Sequence, residues 1–397
     1  MKTQTESKNL TKRLNTRLQA IKPDMIHSFD NEVSDIPGII KLTLGEPDFN
    51  VPEHVKQAAI QSIMDNDSHY APVPGTVKVR EAAAHFLANR YDIHYDPKTE
   101  IIATVGATEA ISDTLRAVTN PGDKVLLPGP TFPLYQPIIE LNGADVVAIN
   151  TEPNQFVLTP EQLQAAIDKD GDTIKAIMLN FPSNPTGVTY TANQIKALAD
   201  ILRNTNIIVI SDEIYSELTY DQSHVSFAHY LPDQTLILNG VSKSHAMTGY
   251  RVGILAGPAA LIGRINLMHA FSVTSASNPA MAAAAEALGS EQGRHDTESM
   301  KAEYKKRRDF VYDTMTKLGF TIPKPAGAFY IFAKIPERLH MTDYDFCLSL
   351  AKTSQVAVIP GAAFGPGGEG YLRLSYAASM ANLKTAMAHL TTYMETH

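Results

Sequence analysis

Short apolar strands alternate with helical segments through the first two thirds of this chain, and that alternation restricts the fold more than any other feature. The clearest strands are predicted at residues 101–105, 124–127, 145–149, 176–179, 207–211 and 235–241. These runs are continuously apolar, which is typical of strands covered on both faces. Helical connections between such strands give a parallel sheet. The sequence therefore predicts an α/β fold with a mainly parallel sheet between layers of helices.

The length of the chain predicts two domains, because 397 residues exceed what one hydrophobic core normally serves. We expect residues 1–44 to form an N-terminal arm and part of a small domain. Residues 45–285 are predicted to form the large domain that contains the sheet. Residues 286–397 mix strands and helices, which predicts a small α+β domain at the C-terminal end. A long helix over about 282–318, with a break around Gly289, is predicted to join the two.

The N-terminal arm has its own predicted elements. Residues 8–30 are expected to form a short basic helix, with Lys12, Arg13 and Arg17 on one solvated face, followed by an irregular arm. A short strand is predicted at residues 39–44, where an apolar run ends in the turn residues 45–48.

Composition excludes several classes of function. Hydrophobic residues make up 44% and charged residues 19%, as in ordinary globular proteins. The formal net charge of −8 argues against a nucleic-acid partner. The single cysteine, Cys347, cannot form an internal disulfide, which fits a reducing compartment. The first residues are polar and no apolar run approaches the ~20 residues of a membrane span, so we expect a soluble, cytoplasmic protein.

One lysine stands in an unusual place, directly after the predicted buried strand 235–241. Lys243 is costly at the mouth of such a strand unless it is neutralised or used covalently. Arg251 follows behind Gly249, and an arginine held by a turn suits a phosphate, which it can meet with two parallel hydrogen bonds. A lysine that forms Schiff bases together with a phosphate anchor is what pyridoxal 5'-phosphate (PLP) requires.

Three further segments lie at predicted strand ends, where open α/β sheets bind their ligands. Residues 180–187 contain two prolines and a glycine, and this rigid turn presents the amide of Asn184. Asp212 ends the next strand as a candidate buried carboxylate, and Tyr215 lies about one turn onward. Residues 105–110 lead through small side chains into a helix, whose free N–H groups bind phosphate well.

Each of these features alone has a commoner structural explanation. A lysine near a glycine turn is usually a surface cation, Asp212 could cap a helix, and Phe132 would by default belong to the core. Arg373, in an alternating strand, would by default be an edge-strand surface cation. The joint occurrence of the motifs, in this order along the chain, favours the functional interpretation.

Two other patterns do not indicate function. Residues 365–370 match G-x-G-x-x-G formally, but they contain a proline and lead into a predicted strand at 371–375 rather than a helix, so they do not predict a dinucleotide site. The 13 histidines show no metal-binding spacing such as H-E-x-x-H, and we predict no metal site.

Taken together, the motifs Asn-Pro-Thr-Gly, Ser-Asp-Glu-Ile-Tyr and Ser-Lys-Ser-His-Ala-Met-Thr-Gly-Tyr-Arg make the chain resemble the class I/II PLP-dependent aminotransferases of fold type I. The resemblance extends from residues 45–48 to 373–376. Within the class, the chain most resembles the bacterial group that contains N-acetyl-L,L-diaminopimelate and aromatic amino acid aminotransferases, a match carried by residues 211–221. The resemblance implies a seven-stranded type of sheet and PLP bound by the large domain. It also implies ping-pong transfer, via pyridoxamine phosphate, between an L-amino acid and a 2-oxo acid such as 2-oxoglutarate.

The resemblance also implies a role for each motif residue. Lys243 would bind PLP covalently and, once released by substrate, carry a proton. Asp212 would pair with the pyridine nitrogen, and Asn184 and Tyr215 would hydrogen-bond to the phenolic oxygen. The remaining cofactor-binding residues would be Ala107, Thr108, Phe132, Ser242 and Arg251, and the substrate-binding residues Gly45, Asn184 and Arg373.

Tyr70 resembles the tyrosine that reaches the phosphate of the neighbouring subunit, so the resemblance implies a homodimer with shared active sites and residues 271–277 at the interface. Two departures bear on specificity. Gly240 stands where many aspartate aminotransferases have a serine that contacts the phosphate. Thr108 stands where aspartate enzymes of the bacterial subgroup often carry a lysine, which favours a larger or neutral donor here.

Two alternatives differ from this interpretation. A PLP-dependent C–S β-lyase has the same fold, and fold does not determine the reaction. A PLP-sensing transcription regulator needs a fused DNA-binding domain, whereas the segment before Gly45 is short and lacks a helix-turn-helix pattern.

Overall fold

The computed structural model describes residue 10 and residues 12–397. Its strands are β1 (Ile40–Lys41), β2 (Ile101–Thr104), β3 (Lys124–Gly129), β4 (Asp145–Asn150), β5 (Ile174–Asn180), β6 (Ile208–Asp212), β7 (Thr235–Gly240), β8 (Gly253–Ala256), β9 (Tyr330–Lys334), β10 (Val356–Ala357), β11 (Ile359–Pro360) and β12 (Tyr371–Ser375). Its α-helices are Thr16–Ala20, Met25–Val33, Glu53–Met64, Val77–Tyr91, Gly106–Val118, Tyr135–Leu141, Pro160–Asp170, Ala192–Leu202, Val241–Ser244, Ala259–Ser272, Asn278–Gly289, Glu291–Lys317, Asp343–Ser354 and Met380–Thr396.

Seven strands form the main sheet in the order β2-β8-β7-β6-β5-β3-β4. Neighbours from β7 through β4 pair in parallel, whereas β8 pairs antiparallel with both β7 and β2. The predicted α/β fold with a mainly parallel, seven-stranded sheet is therefore confirmed. The strand β8 was not predicted, because its four residues directly follow the turn of Arg251 and form only a short apolar run.

The sheet is covered on both faces, as continuous apolar strands require. Along β3, Val125 and Leu127 pack into one hydrophobic cluster and Leu126 into another, because successive side chains of a strand point to opposite faces. The strand register brings Asn180 of β5 beside Asp212 of β6. The carboxyl ends of these strands therefore meet at one edge. No helix in the described part of the chain combines the length and apolarity needed to cross a membrane.

Two small sheets lie outside the main one. Strands β11, β12 and β9 pair antiparallel, and β1 pairs in parallel with β10. The predicted helix break is present, since one helix ends at Gly289 and the next begins at Glu291, with the Ser290 side chain accepting a hydrogen bond from the N–H of Gly293. The exact domain boundaries stay a prediction.

The N-terminal arm differs from its prediction. Of the three basic residues, only Arg17 lies in a helix, because the side chain of Asn15 caps that helix and starts it after Lys12 and Arg13. Residues 8, 9 and 11 lie outside the described residues. The part predicted to be irregular contains the start of the helix Met25–Val33, because the Asp24 side chain caps that helix by accepting a hydrogen bond from the N–H of Ile26. The strand predicted at 39–44 is reduced to Ile40–Lys41, because the carbonyl of Thr43 accepts a hydrogen bond from Arg373 instead of a strand neighbour.

Candidate active site

A cavity of about 900 Å³ opens at the carboxyl edge of the main sheet. All but one of the residues predicted to form the site line it: Gly45, Ala107, Thr108, Phe132, Asn184, Asp212, Tyr215, Ser242, Lys243, Arg251 and Arg373. The exception is Tyr70, which is 90% exposed and lies outside this cavity. Residues from position 45 to position 373 of the sequence therefore converge at the edge where parallel sheets place their ligands.

Lys243 lies in the short helix Val241–Ser244 that follows β7. Its Nζ donates a hydrogen bond to the carbonyl of Gly45 at 2.6 Å. Burial lowers the pKa of the Lys243 amine to about 8, against the opposing attraction of Glu46 and Asp212. An amine with this pKa is partly unprotonated near neutral pH and can act as a nucleophile or accept a proton.

Asp212 is the last residue of β6 and is buried. One carboxylate oxygen accepts a hydrogen bond from the hydroxyl of Tyr135 at 2.7 Å, and the other accepts one from the N–H of Ile214 at 3.1 Å. Burial nevertheless raises the pKa of the Asp212 carboxyl to about 6, because these partners are neutral. Such a carboxylate is stabilised by a cationic group placed in the cavity, as a protonated ring nitrogen would be.

Arg373 projects from β12 and is buried at 2% exposure. Its guanidinium donates hydrogen bonds to Asn184 Oδ1, at 3.0 Å, and to the carbonyl of Thr43, while its Nε lacks a hydrogen-bond partner among the described residues. The ring centroids of Tyr330 and Phe364 lie 4.7 and 4.8 Å from the guanidinium carbon of Arg373. A buried cation surrounded by neutral groups is an anion-binding site, and guanidinium geometry suits a carboxylate.

Two tyrosines pack beside this arginine. The hydroxyl oxygens of Tyr215 and Tyr330 lie 2.8 Å apart, and burial, together with Tyr330, raises the pKa of the Tyr215 phenol well above its ordinary value. The Tyr330 hydroxyl also lies against Gly45, where an added Cβ would come within 2.3 Å of its oxygen. Residue 45 must therefore be glycine for its backbone to approach Lys243.

The opposite end of the site is built around a helix N-terminus. The helix Gly106–Val118 begins behind Val105, whose side chain makes no cap, so N–H groups of the first turn stay open to a ligand. Gly106 has a φ of +74°, and a side chain there would lie 2.6 Å from Arg251 Nη2. Arg251 donates from Nη1 to the carbonyl of Thr248 at 3.0 Å. A helix N-terminus next to a guanidinium fits a phosphate.

The site residues as a set fit PLP. The amine of Lys243 suits its aldehyde, the buried Asp212 suits its ring nitrogen, and the Gly106 turn with Arg251 suits its phosphate. Phe132 lines the cavity and contacts Tyr135 edge to face at 5.6 Å, which places an aromatic surface beside Asp212.

Several residues of the site were not predicted from the sequence. Asn180 donates to the carbonyl of Asp212 at 3.0 Å and accepts from the N–H of Asn184 at 2.8 Å. Its position at the end of β5 could have indicated this role. Tyr135 and Tyr330 gave no such signal, since tertiary packing alone brings them to Asp212 and Tyr215.

Two segments also line the cavity without having been predicted to do so. Residues 20–27 of the N-terminal arm form part of its wall. Gly365 and Pro366 belong to the segment that formally matched a dinucleotide motif, and the strand Tyr371–Ser375 follows it as predicted. The neighbouring Phe364 carbonyl accepts a hydrogen bond from the N–H of Thr131 at 2.9 Å.

One group in the described part of the chain brings three potential metal-binding side chains together. Ligand atoms of Glu109, Asp113 and His269 lie within 4.8 Å of one another. The prediction of no metal site rested on sequence spacing, which could not reveal this group because its members come from two separate helices.

A mainly parallel seven-stranded sheet, with this lysine, this buried carboxylate and a turn that fits a phosphate at its edge, is the arrangement of a PLP enzyme of fold type I. The chain belongs to the family described as aminotransferase class I and II, which it matches over residues 37–390. It is therefore a PLP-dependent aminotransferase, and the resemblance stated from its motifs is confirmed.

Individual relatives agree with the family. A Bacillus subtilis (strain 168) protein named probable N-acetyl-LL-diaminopimelate aminotransferase is 42% identical over 381 residues, 96% of this chain and 95% of that protein. An aromatic aminotransferase structure from Pyrococcus horikoshii OT3 matches with a TM-score of 0.86 and 35% identity, over 93% of this chain and 99% of that one. Aspartate aminotransferase from Thermus thermophilus with maleate matches with a TM-score of 0.90 and 33% identity, over 96% and 99%.

Proposed function

We propose that this aminotransferase uses an amino donor with a large side chain, of the N-acetyl-L,L-diaminopimelate or aromatic type, and 2-oxoglutarate as acceptor. The two half-reactions share one site in a ping-pong cycle. The 42% identity to the Bacillus subtilis relative supports the diaminopimelate type, and the Pyrococcus structure supports the aromatic type.

The observation that carries the proposal is Arg373, a buried guanidinium whose nearest partners are neutral. A carboxylate is common to every amino acid and 2-oxo acid, so one such group serves both half-reactions. Asn184 accepts from this arginine and holds it in place, with the Nε left over for the substrate. Binding of the substrate carboxylate at this guanidinium directs the substrate's α-carbon toward Lys243.

The remaining residues would act around the bound cofactor, which supplies an electron sink when present. Lys243 moves a proton to and from the substrate α-carbon, a task suited to an amine whose pKa is about 8. Asp212 keeps a cationic ring nitrogen protonated, and Tyr215 donates a hydrogen bond to the ring oxygen. Gly45 holds the Lys243 amine at its carbonyl, 2.6 Å away.

The walls of the cavity support a large donor side chain. Ile21, Ile111 and Leu134 are among its apolar lining residues, and an aromatic or long aliphatic chain buries well against them. Thr108 places a neutral hydroxyl, and not a cation, beside the proposed phosphate-binding turn, which favours a larger or neutral donor side chain over that of aspartate. Lys22 also lines the cavity, and its ammonium group suits the distal carboxylate of a diaminopimelate derivative.

Steady-state rates with N-acetyl-L,L-diaminopimelate, phenylalanine, tyrosine and aspartate test the donor. We expect kcat/KM for one of the large donors to exceed that for aspartate by at least tenfold. Lys22→Ala should raise KM for the diaminopimelate donor and leave phenylalanine unchanged, with Lys12→Ala as the matched control. A preference for aspartate would contradict the proposed donor class.

A single half-reaction separates transfer from lyase chemistry. Donor without acceptor should leave the cofactor as pyridoxamine phosphate. Release of pyruvate and ammonia from a cysteine conjugate, with the cofactor unchanged, would instead establish a C–S β-lyase.

We further propose that the enzyme is a cytoplasmic homodimer in which Tyr70 reaches the partner's phosphate. Tyr70 and Phe271 are 90% and 86% exposed, an unusual state for large aromatic side chains that a subunit interface would bury. Sedimentation should give twice the chain mass. Tyr70→Phe should weaken cofactor binding, whereas a monomeric active enzyme would overturn the shared site.

A further inference from the structure

The group formed by Glu109, Asp113 and His269 lies next to the phosphate-binding turn and is not explained by the reaction. Glu109 directly follows Thr108 in the first turn of its helix, and His269 lies on the helix Ala259–Ser272. His269 is 1% exposed. A buried histidine is normally found where both of its ring nitrogens have hydrogen-bond partners, as those of His269 do.

The contacts define where the protons are. His269 Nε2 lies 2.8 Å from the carbonyl of Val73, which can only accept, so Nε2 carries a proton. His269 Nδ1 lies 2.5 Å from Glu109 Oε1. One further proton must lie in that contact, on the nitrogen or on the oxygen, and the pair is neutral overall in either case.

The same distance argues against a metal ion. Two ligands of a tetrahedral metal with bonds of about 2.0 Å stand about 3.3 Å apart. The 2.5 Å separation between His269 Nδ1 and Glu109 Oε1 is that of a hydrogen bond. Asp113 completes the group by accepting from the hydroxyl of Ser272 at 2.7 Å.

The pair reaches the phosphate turn through the second oxygen of Glu109. Glu109 Oε2 accepts a hydrogen bond from the N–H of Val105, the residue that begins the turn. This contact fixes the backbone that leads into Gly106 and directs the open N–H groups behind it. On its other side, His269 holds Val73, three residues after Tyr70.

We propose that Glu109 and His269 are positioning residues that hold the phosphate-binding turn in register with the segment carrying Tyr70, and so strengthen binding of the cofactor phosphate. The proposal rests on the assignment of this turn to the phosphate. The two side chains act as one hydrogen-bonded unit and touch neither substrate nor the reacting atoms.

The experiment compares two ligands of the cofactor-free enzyme, PLP and pyridoxal. Both can react with Lys243, but only PLP carries a phosphate. The dissociation constant of pyridoxal divided by that of PLP therefore measures the contribution of the phosphate to binding, and this quotient is the ratio used below. Absorbance titration gives both constants. Wild-type protein that bonds covalently to neither ligand would contradict the PLP site itself, which separates that failure from a failure of this inference.

Glu109→Ala and His269→Ala should each reduce the ratio about tenfold, as expected for loss of a hydrogen bond that orients a binding group. The double variant should lose no more than either single variant, because the residues form one unit. Glu109→Gln should keep the ratio within about twofold of wild type. Its amide oxygen can accept from Val105 and its NH₂ can donate to His269 Nδ1.

His54→Ala is the matched control, since His54 also lies between side-chain carboxylates, those of Glu286 and Asp296 at 2.8 and 2.7 Å, but away from the cavity. It should lower thermal stability and leave the ratio unchanged. A ratio within twofold of wild type in both Glu109→Ala and His269→Ala would overturn the proposal. An equal loss in His54→Ala, or a double variant whose loss multiplies the single losses, would also overturn it.

Discussion

Replacing Asp212 with asparagine should make the cofactor-free protein more stable at neutral pH, and it should remove most of the turnover of the PLP-loaded enzyme. Burial raises the pKa of this carboxyl from 3.8 to about 6. At about 1.4 kcal/mol per pKa unit, keeping it ionised in the folded protein costs about 3 kcal/mol above pH 6. Asparagine avoids that cost, since its amide oxygen can still accept from the N–H of Ile214 while its NH₂ donates to the hydroxyl of Tyr135.

The size of the effect can be converted to a melting temperature. An unfolding entropy of about 2.1 cal/mol/K per residue gives about 0.8 kcal/mol/K for 397 residues, so the melting temperature should rise by about 4 °C. Because the folded pKa of Asp212 lies above its unfolded value, protonation stabilises the fold below pH 3.8, and this contribution is lost as pH rises through 6. The advantage of the variant should therefore be full above pH 6 and vanish below about pH 4.

Differential scanning fluorimetry of the cofactor-free proteins from pH 4 to 8 measures this. Asp221→Asn provides a control of opposite sign, because Arg308 lowers the pKa of the Asp221 carboxyl and that variant should lose stability at neutral pH. An Asp212→Asn variant no more stable than wild type at pH 7.5, or a difference independent of pH, would refute the electrostatic reasoning.

Three other outcomes follow from the site. The rate at which cofactor-free enzyme captures pyridoxal should rise with pH about a midpoint near 8, because the unprotonated Lys243 amine reacts; a midpoint above 10 would contradict its lowered pKa. Arg373→Gln should raise KM for donor and acceptor alike by on the order of 100-fold, the cost of losing a buried charge partner, and a selective effect on one of them would argue against a shared carboxylate site. Tyr135→Phe removes a hydrogen bond that lowers the pKa of Asp212, so the pKa of this carboxyl should rise and the pH midpoint in a spectrophotometric titration of the bound cofactor should change. An unchanged midpoint would show that Tyr135 does not act on Asp212.

Much of the main sheet was predictable because its signal is local. A continuous apolar run such as residues 174–180 is stable mainly as a strand that is buried on both faces of a sheet. Polar residues that follow such a strand then lie at the carboxyl edge of the sheet, where ligands bind. Asn184, Asp212 and Lys243 were found for that reason.

The unpredicted features depend on contacts between distant parts of the chain. Tyr135 and Tyr330 enter the site only because tertiary packing brings them to Asp212 and Tyr215. The strand at 39–44 was overextended because the carbonyl of Thr43 is taken by Arg373, far away in sequence. Hydrophobic periodicity carries no information about such partners.

Lys243, as the covalent attachment point of the cofactor, is the residue on which the proposed catalysis depends most. Reduction of the PLP-loaded enzyme with borohydride, followed by proteolysis and mass spectrometry, locates the attachment directly. We expect a phosphopyridoxyl group on the peptide that contains Lys243, and neither that group nor amino transfer in Lys243→Ala. An adduct on a different lysine, or transfer that survives in Lys243→Ala, would contradict it.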